Sequence, residues 1–99
     1  MTFDELELTV ADWHAARNLI DGSDDKTQMT KLFEEVNELY VDVLDRKDLR
    51  DELGDCLVVL INVATRNNFS LYEALEYSFS KIKDRKGRMV NGLFVKEGA

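Results

Sequence analysis

Apolar residues recur three and four apart along most of this chain, the spacing that keeps them on one side of a helix. Phe3, Leu6, Val10, Trp13 and Ile20 make the first such stripe, with Arg17 its one polar member. Thr2 and Glu5 have the spacing of a capping box, so a first helix is predicted over about 3–20. Asp21-Gly22-Ser23-Asp24-Asp25 breaks the pattern, and Asp25 with Gln28 reads as the next cap pair. A second helix, about 28–44, puts Met29, Leu32, Phe33, Val36, Leu39, Tyr40 and Val43 on one side. Glu34 and Glu38 then lie opposite, with Glu35 at the border.

Asp45-Arg46-Lys47-Asp48 is a short polar connection, which makes the flanking helices antiparallel neighbours. Asp48 is placed to cap a third helix over about 49–67. Its middle, Cys56-Leu57-Val58-Val59-Leu60-Ile61, is apolar on nearly every side, as in a helix buried from more than one direction. A chain this small cannot surround such a helix completely, so a partner subunit is expected to cover part of it. Glu52, Asp55, Asn62 and Arg66 interrupt the apolar surface as one stripe. Ser70 and Glu73 form a second capping box, opening a fourth helix over about 70–86 with Leu71, Ala74, Leu75, Ser78, Phe79 and Ile82 inward and Gly87 as its stop. The remaining tail, 87–99, has apolar residues without clear periodicity and is expected to order against a neighbouring subunit. The fold class is all-α, four helices, assembled as a homodimer or homotetramer.

Composition narrows the class further. Ninety-nine residues make one domain with one modest core. The complete absence of Pro favours long uninterrupted helices over a sheet rich in turns. No apolar run approaches the roughly 20 residues of a membrane span, and the first residues lack the basic and apolar regions of a signal peptide. Cys56 alone cannot form an intrachain disulfide and reads as a buried reduced thiol, so a cytoplasmic setting is expected. The net charge of −7 disfavours binding to a nucleic-acid backbone.

That acidity is concentrated in two clusters. Glu34-Glu35-x-x-Glu38 lies on the second helix and Glu52-x-x-Asp55 opens the third. Residues three or four apart share a helix face, so Glu35 with Glu38, and Glu52 with Asp55, make two carboxylate pairs. Facing one another they form a set of hard oxygen ligands suited to Mg²⁺ or Mn²⁺. Without a cation the carboxylates repel and at least one pKa must rise. From periodicity alone, Glu34, Glu35 and Glu38 fit a solvated face as well as a metal site. Asp55 is harder to explain that way, because it sits a turn into the helix among Leu53, Cys56, Leu57 and Val58, where an unpaired charge is costly.

The order E-E-x-x-E, a spacer of thirteen residues, then E-x-x-D resembles the signature of the all-α nucleoside triphosphate pyrophosphohydrolases, specifically small MazG-like proteins. The likeness extends from about Trp13 to Arg88 and includes Lys31-Leu32 before the first cluster and Asn62-Val63-Ala64 after the second. It implies Mg²⁺-dependent attack of water on the α-phosphorus of a nucleoside triphosphate, releasing the monophosphate and pyrophosphate. It also implies Glu35, Glu38, Glu52 and Asp55 as metal ligands, with Mn²⁺ a possible substitute for Mg²⁺. Glu34 has two open readings, orienting the attacking water or simple solvation. Lys81 and Arg85 match the family's phosphate-binding basic pair, their alternative being a solvated helix end favoured by the dipole. Lys31 and Arg88 are further phosphate candidates.

On the base side, Asn62 either reads a nucleobase or ribose or caps a neighbouring backbone group. Trp13 either stacks on a base or belongs to the core. His14 reads as a surface residue, with no Cys or second His to make a zinc site, and the Glu-x-x-His of di-iron bundles is absent. A specialised hydrolase of the same fold, acting on dUTP, dCTP or phosphoribosyl-ATP, and a non-catalytic helical assembly module remain as alternatives.

Overall fold

The computed structural model describes residues 1–98. It contains α1 (Phe3–Ala16), α2 (Asp25–Leu44), α3 (Arg50–Arg66) and α4 (Leu71–Ile82), followed by β1 (Gly87–Val90) and β2 (Leu93–Lys96). The chain is mostly helical, as expected, but the tail is a β-hairpin rather than an irregular segment.

The cap half of both expected capping boxes starts its helix: Thr2 accepts from the Glu5 N–H and Ser70 from the Glu73 N–H, with no return bond from either glutamate among the described residues. The second helix begins at Asp25, three residues before the predicted 28, and its cap is one residue before the expected Asp25: Asp24 accepts from the Thr27 N–H at 2.7 Å. Asp48 does accept from the Arg50 N–H, although the cap position itself is Leu49, which has no capping side chain.

Three helices end the same way. Asn18, Arg46 and Asn68 have positive φ, and the following N–H groups of Leu19, Lys47 and Phe69 reach back to His14, Asp42 and Ala64 carbonyls. This is the Schellman arrangement, with the left-handed residue just past the helix. It closes α1 at Ala16, four residues short of the predicted 20. The fourth helix likewise ends at Ile82, not 86, so Arg85 lies beyond it and shares no helix face with Lys81.

α2 and α3 form the central pair, joined by the short connection. The apolar arc of α2 is wide, and α3 covers only its edge. The residues turned inward are Gln28, Met29, Leu32, Glu35, Leu39 and Asp42, and of these only Glu35 is buried rather than half-buried. Phe33, Val36, Tyr40 and Val43, at successive spacings of three, four and three, stay exposed. Glu35 was expected at the border of the packed side, and the packing sits on that border. α3 supplies the whole apolar core: Cys56, Val59, Ile61 and Ala64.

α1 turns Glu7, Val10, Ala11 and His14 inward, so that Val10 alone of the predicted stripe within the helix faces the core. Phe3, Leu6 and Trp13 are about half exposed. The reason is polar anchoring. Glu7 is buried and accepts from the Leu71 and Tyr72 N–H groups, tying α1 to the start of α4. His14 is buried against α3. On α4, Leu75, Phe79 and Ile82 are likewise exposed, against expectation.

The accessible surface is 7809 Å². A compact monomer of this mass exposes about 5,800 Å². The radius of gyration, 16.1 Å, compares with about 13 Å for a compact chain of this length. The helices form one layered pair with lightly packed outer elements, not a closed bundle.

Candidate metal centre

One oxygen each of Glu35, Glu52 and Asp55 lies within 4.8 Å of the other two. Glu35 comes from the inward edge of α2, while Glu52 and Asp55 lie one turn apart at the start of α3. The antiparallel helix pair is therefore what assembles the group.

Two oxygens of this group, Glu35 Oε2 and Glu52 Oε2, are buried and have no hydrogen-bond partner among the described residues. A buried acceptor without a donor is costly, and two such oxygens beside a third carboxylate are chemically a hard-cation donor set. Lys31, one turn before Glu35, stands 3.2 Å from Glu35 Oε1 and 3.5 Å from Glu34. It offsets part of the charge from the solvent side. Its own pKa is raised, chiefly by the hydrogen bond to Glu35.

The electrostatics bear the mark of this crowding. Burial pushes the Glu52 carboxyl up to about 7, helped by the close approach of the Glu35 carboxyl and by the charges of Glu38, Glu35 and Asp55. Asp55 is raised as well, first by burial and then by Asp51 and Glu35, with Lys31 opposing. The neighbouring Cys56 thiol is pushed up by burial and by the same three carboxylates. It is buried and free, as expected.

The expected ligand set is thus brought together in three of its four members. Glu38 is exposed and outside the close group, although its charge is felt at Glu52. Glu34 is exposed and paired with Lys31.

The stripe Glu52, Asp55, Asn62, Arg66 divides into two jobs. Its second half is a structural clamp. Asn62 is 0% exposed; its amide donates to the Leu19 carbonyl at 3.0 Å and points at His14 Nδ1 at 3.3 Å. Its oxygen accepts from Arg66 Nε at 3.1 Å. With every polar atom taken and no surface open, Asn62 holds backbone in place and does not face a nucleobase. Arg66 extends the clamp to the Leu19, Ile20 and Ser23 carbonyls. His14 Nε2 lies 2.9 Å from the Val58 carbonyl, so it donates there and its Nδ1 accepts from Asn62.

The surface reading of His14 is therefore overturned. The missed signal was its position seven residues after Glu7, the other polar residue on the same face. Trp13 is 46% exposed, with the Arg17 guanidinium 4.2 Å from its ring centre. Lys81 stands over the Tyr77 ring at 5.1 Å. Neither Lys81, Arg85 nor Arg88 pairs with a carboxylate among the described residues.

Fold and site together define a helical protein whose central antiparallel pair carries a cation-ready cluster of carboxylates. Residues 23–90 match the MazG nucleotide pyrophosphohydrolase domain, and the chain belongs to that family. It is similar to an uncharacterised 18.2 kDa protein of the rep-hol intergenic region of Haemophilus phage HP1, 36% identical over 66 residues. That stretch covers 65% of this chain and 40% of the phage protein, so the chain spans less than half of its relative. No solved structure matches it. Among the described residues, no helix is long and apolar enough to cross a membrane.

Proposed function

We propose that this chain hydrolyses nucleoside triphosphates to the monophosphate and pyrophosphate in a Mg²⁺-dependent reaction. The observation that carries the reading is the pair of buried, partnerless oxygens on Glu35 and Glu52, beside Asp55. Glu35, Glu52 and Asp55 would hold the ion, with Glu38 as the fourth ligand. A bound Mg²⁺ supplies neutralising charge for the phosphates and Lewis acidity. The chain's own part is positioning: catalysis of phosphate transfer rests mainly on placement and electrostatics. Exposed Glu34, held by Lys31, is the group available to orient a water. Lys31, Lys81, Arg85 and Arg88 are the proposed phosphate contacts, and exposed Trp13 the proposed base contact.

We further propose a homodimer or homotetramer. Support comes from the surface excess and from the exposed row Phe33, Val36, Tyr40 and Val43 on α2, whose spacing is that of a helix–helix seam.

The test is pyrophosphate release from a panel of common ribo- and deoxyribonucleoside triphosphates, with and without Mg²⁺. Activity is expected only with the metal, and is expected to vanish in Glu38→Gln and in Asp55→Asn. Full activity in both variants would remove the metal assignment. The same panel separates a general enzyme from one specialised for dUTP or dCTP.

A further inference from the structure

Among the described residues, the C-terminal hairpin is well formed yet has no substantial packing against a helix. Asn91 and Gly92 both have positive φ, 51° and 82°, the two-residue turn that matches strand twist. Met89 pairs with Phe94 and Val90 with Leu93. Gly87 is required, since a Cβ there would fall 2.3 Å from the Val95 carbonyl oxygen and 2.5 Å from the Phe94 ring. The strands pack against each other but not substantially against any helix of their own chain. An isolated two-stranded hairpin is marginal in water. Even so, this one exposes Met89, Leu93 and Phe94 by half or more.

Charge says where it belongs. Residues 81–96 hold six Lys or Arg against one Asp, in a chain whose first 80 residues hold seven basic and eighteen acidic. None of those six cations lies within 4.0 Å of a carboxylate among the described residues. The opposite pole is the α2–α3 end, where residues 34–55 hold nine acids and three bases around Glu35, Glu52 and Asp55. Among the described residues, no ion pair joins the two poles within one chain. Each hairpin face combines apolar residues with a cation, Met89 and Phe94 with Lys96 on one, Val90, Leu93 and Val95 with Arg88 on the other. The surface exceeds that of a compact monomer by about 2,000 Å², as much as a stable interface needs.

We infer that the hairpin is an arm that docks on the acidic α2–α3 end of a second copy of this chain, and that Arg88 and Lys96 thereby complete the phosphate side of that copy's site. The second half of the statement rests on the pyrophosphohydrolase reading; the docking does not.

Two measurements separate them. Sedimentation of Met89→Asp/Phe94→Asp, and separately of Arg88→Glu/Lys96→Glu, is expected to show self-association weakened at least about tenfold, with helical content unchanged because the arm supports no helix. Unaltered association in both variants overturns the docking, whatever the activity. Docking intact with wild type inactive on every triphosphate would sink the enzymatic reading alone. For an active enzyme, Asp55→Asn is mixed with Met89→Asp/Phe94→Asp. An arm working on its partner restores about one quarter of wild-type activity, the statistical yield of a two-fold dimer with one intact site. No restoration overturns the arm's role in the partner's site.

Discussion

Lys31 Nζ stands 3.2 Å from Glu35 Oε1, while Glu35 Oε2, on the same carboxylate, is buried and bare. One oxygen thus faces a cation at the surface and the other is enclosed, in a carboxylate that lies close to those of Glu52 and Asp55. The carboxylate bridges solvent-side charge to the interior group, an arrangement that a divalent ion would complete.

A change of sign is therefore expected for Glu52→Gln. In metal-free protein it removes charge from a crowded group and is neutral or stabilising. With cation present, wild type gains about 2.7 kcal/mol at 100 times the dissociation constant, and the variant gains less. Thermal melts with chelator and with Mn²⁺ check this; equal metal-induced shifts in both proteins would contradict it.

Stability without metal should fall as pH rises from the ordinary carboxyl value of 4.5 towards 7. Glu52 is pushed up to about 7, so across that window the folded chain binds more protons than the unfolded one. The stability from that protonation is present at low pH and is lost as Glu52 ionises. Asp55 acts in the same direction. Asp24 is held low by the Thr27 N–H and Asp48 by Arg50, so both titrate below this window. Denaturant midpoints at about pH 5 and pH 7.5 with chelator measure it, and a flat profile would argue against the assignment. Saturating Mg²⁺ is expected to reduce the fall, since it replaces the lost proton.

Asn62→Ala leaves the Leu19 carbonyl, His14 Nδ1 and Arg66 Nε each short of a partner. The expected loss is about 1–3 kcal/mol for a broken buried network. Substrate affinity of the folded variant should not change, because Asn62 has no surface to offer. Chemical denaturation alongside KM distinguishes this from a base-reading role, which would raise KM instead.

Arg46 ends α2 with φ 56°, a conformation that costs a side chain about 1 kcal/mol and glycine much less. Arg46→Gly is expected to stabilise the protein by about 0.5–1 kcal/mol. A lower denaturation midpoint would mean that the Arg46 side chain makes a contribution outweighing its backbone strain.

How much of this was legible in the sequence follows from how far each signal reaches. Helix starts were readable because a cap and its N–H lie three residues apart, as at Thr2 and Ser70. Helix ends were readable for α2 and α3, where polar residues follow at once, but not for α1, which Asn18 stops only through a left-handed backbone, nor for α4. The Asn91-Gly92 hairpin turn was local and could have been read. The acidic pattern Glu35, Glu52, Asp55 was legible because helix periodicity and a short connection already force those positions together.

Tertiary structure decided which part of each amphipathic arc is used. The apolar arc of α2 is wider than one neighbour can cover, so only packing could settle that α3 sits on its edge and buries Glu35. Likewise Glu7 and His14 lie inside because hydrogen bonds to α4 and α3 outweigh the pull of the stripe Phe3, Leu6 and Trp13. Periodicity says which residues share a face; it does not say which face meets a partner, because that depends on groups carried by other helices.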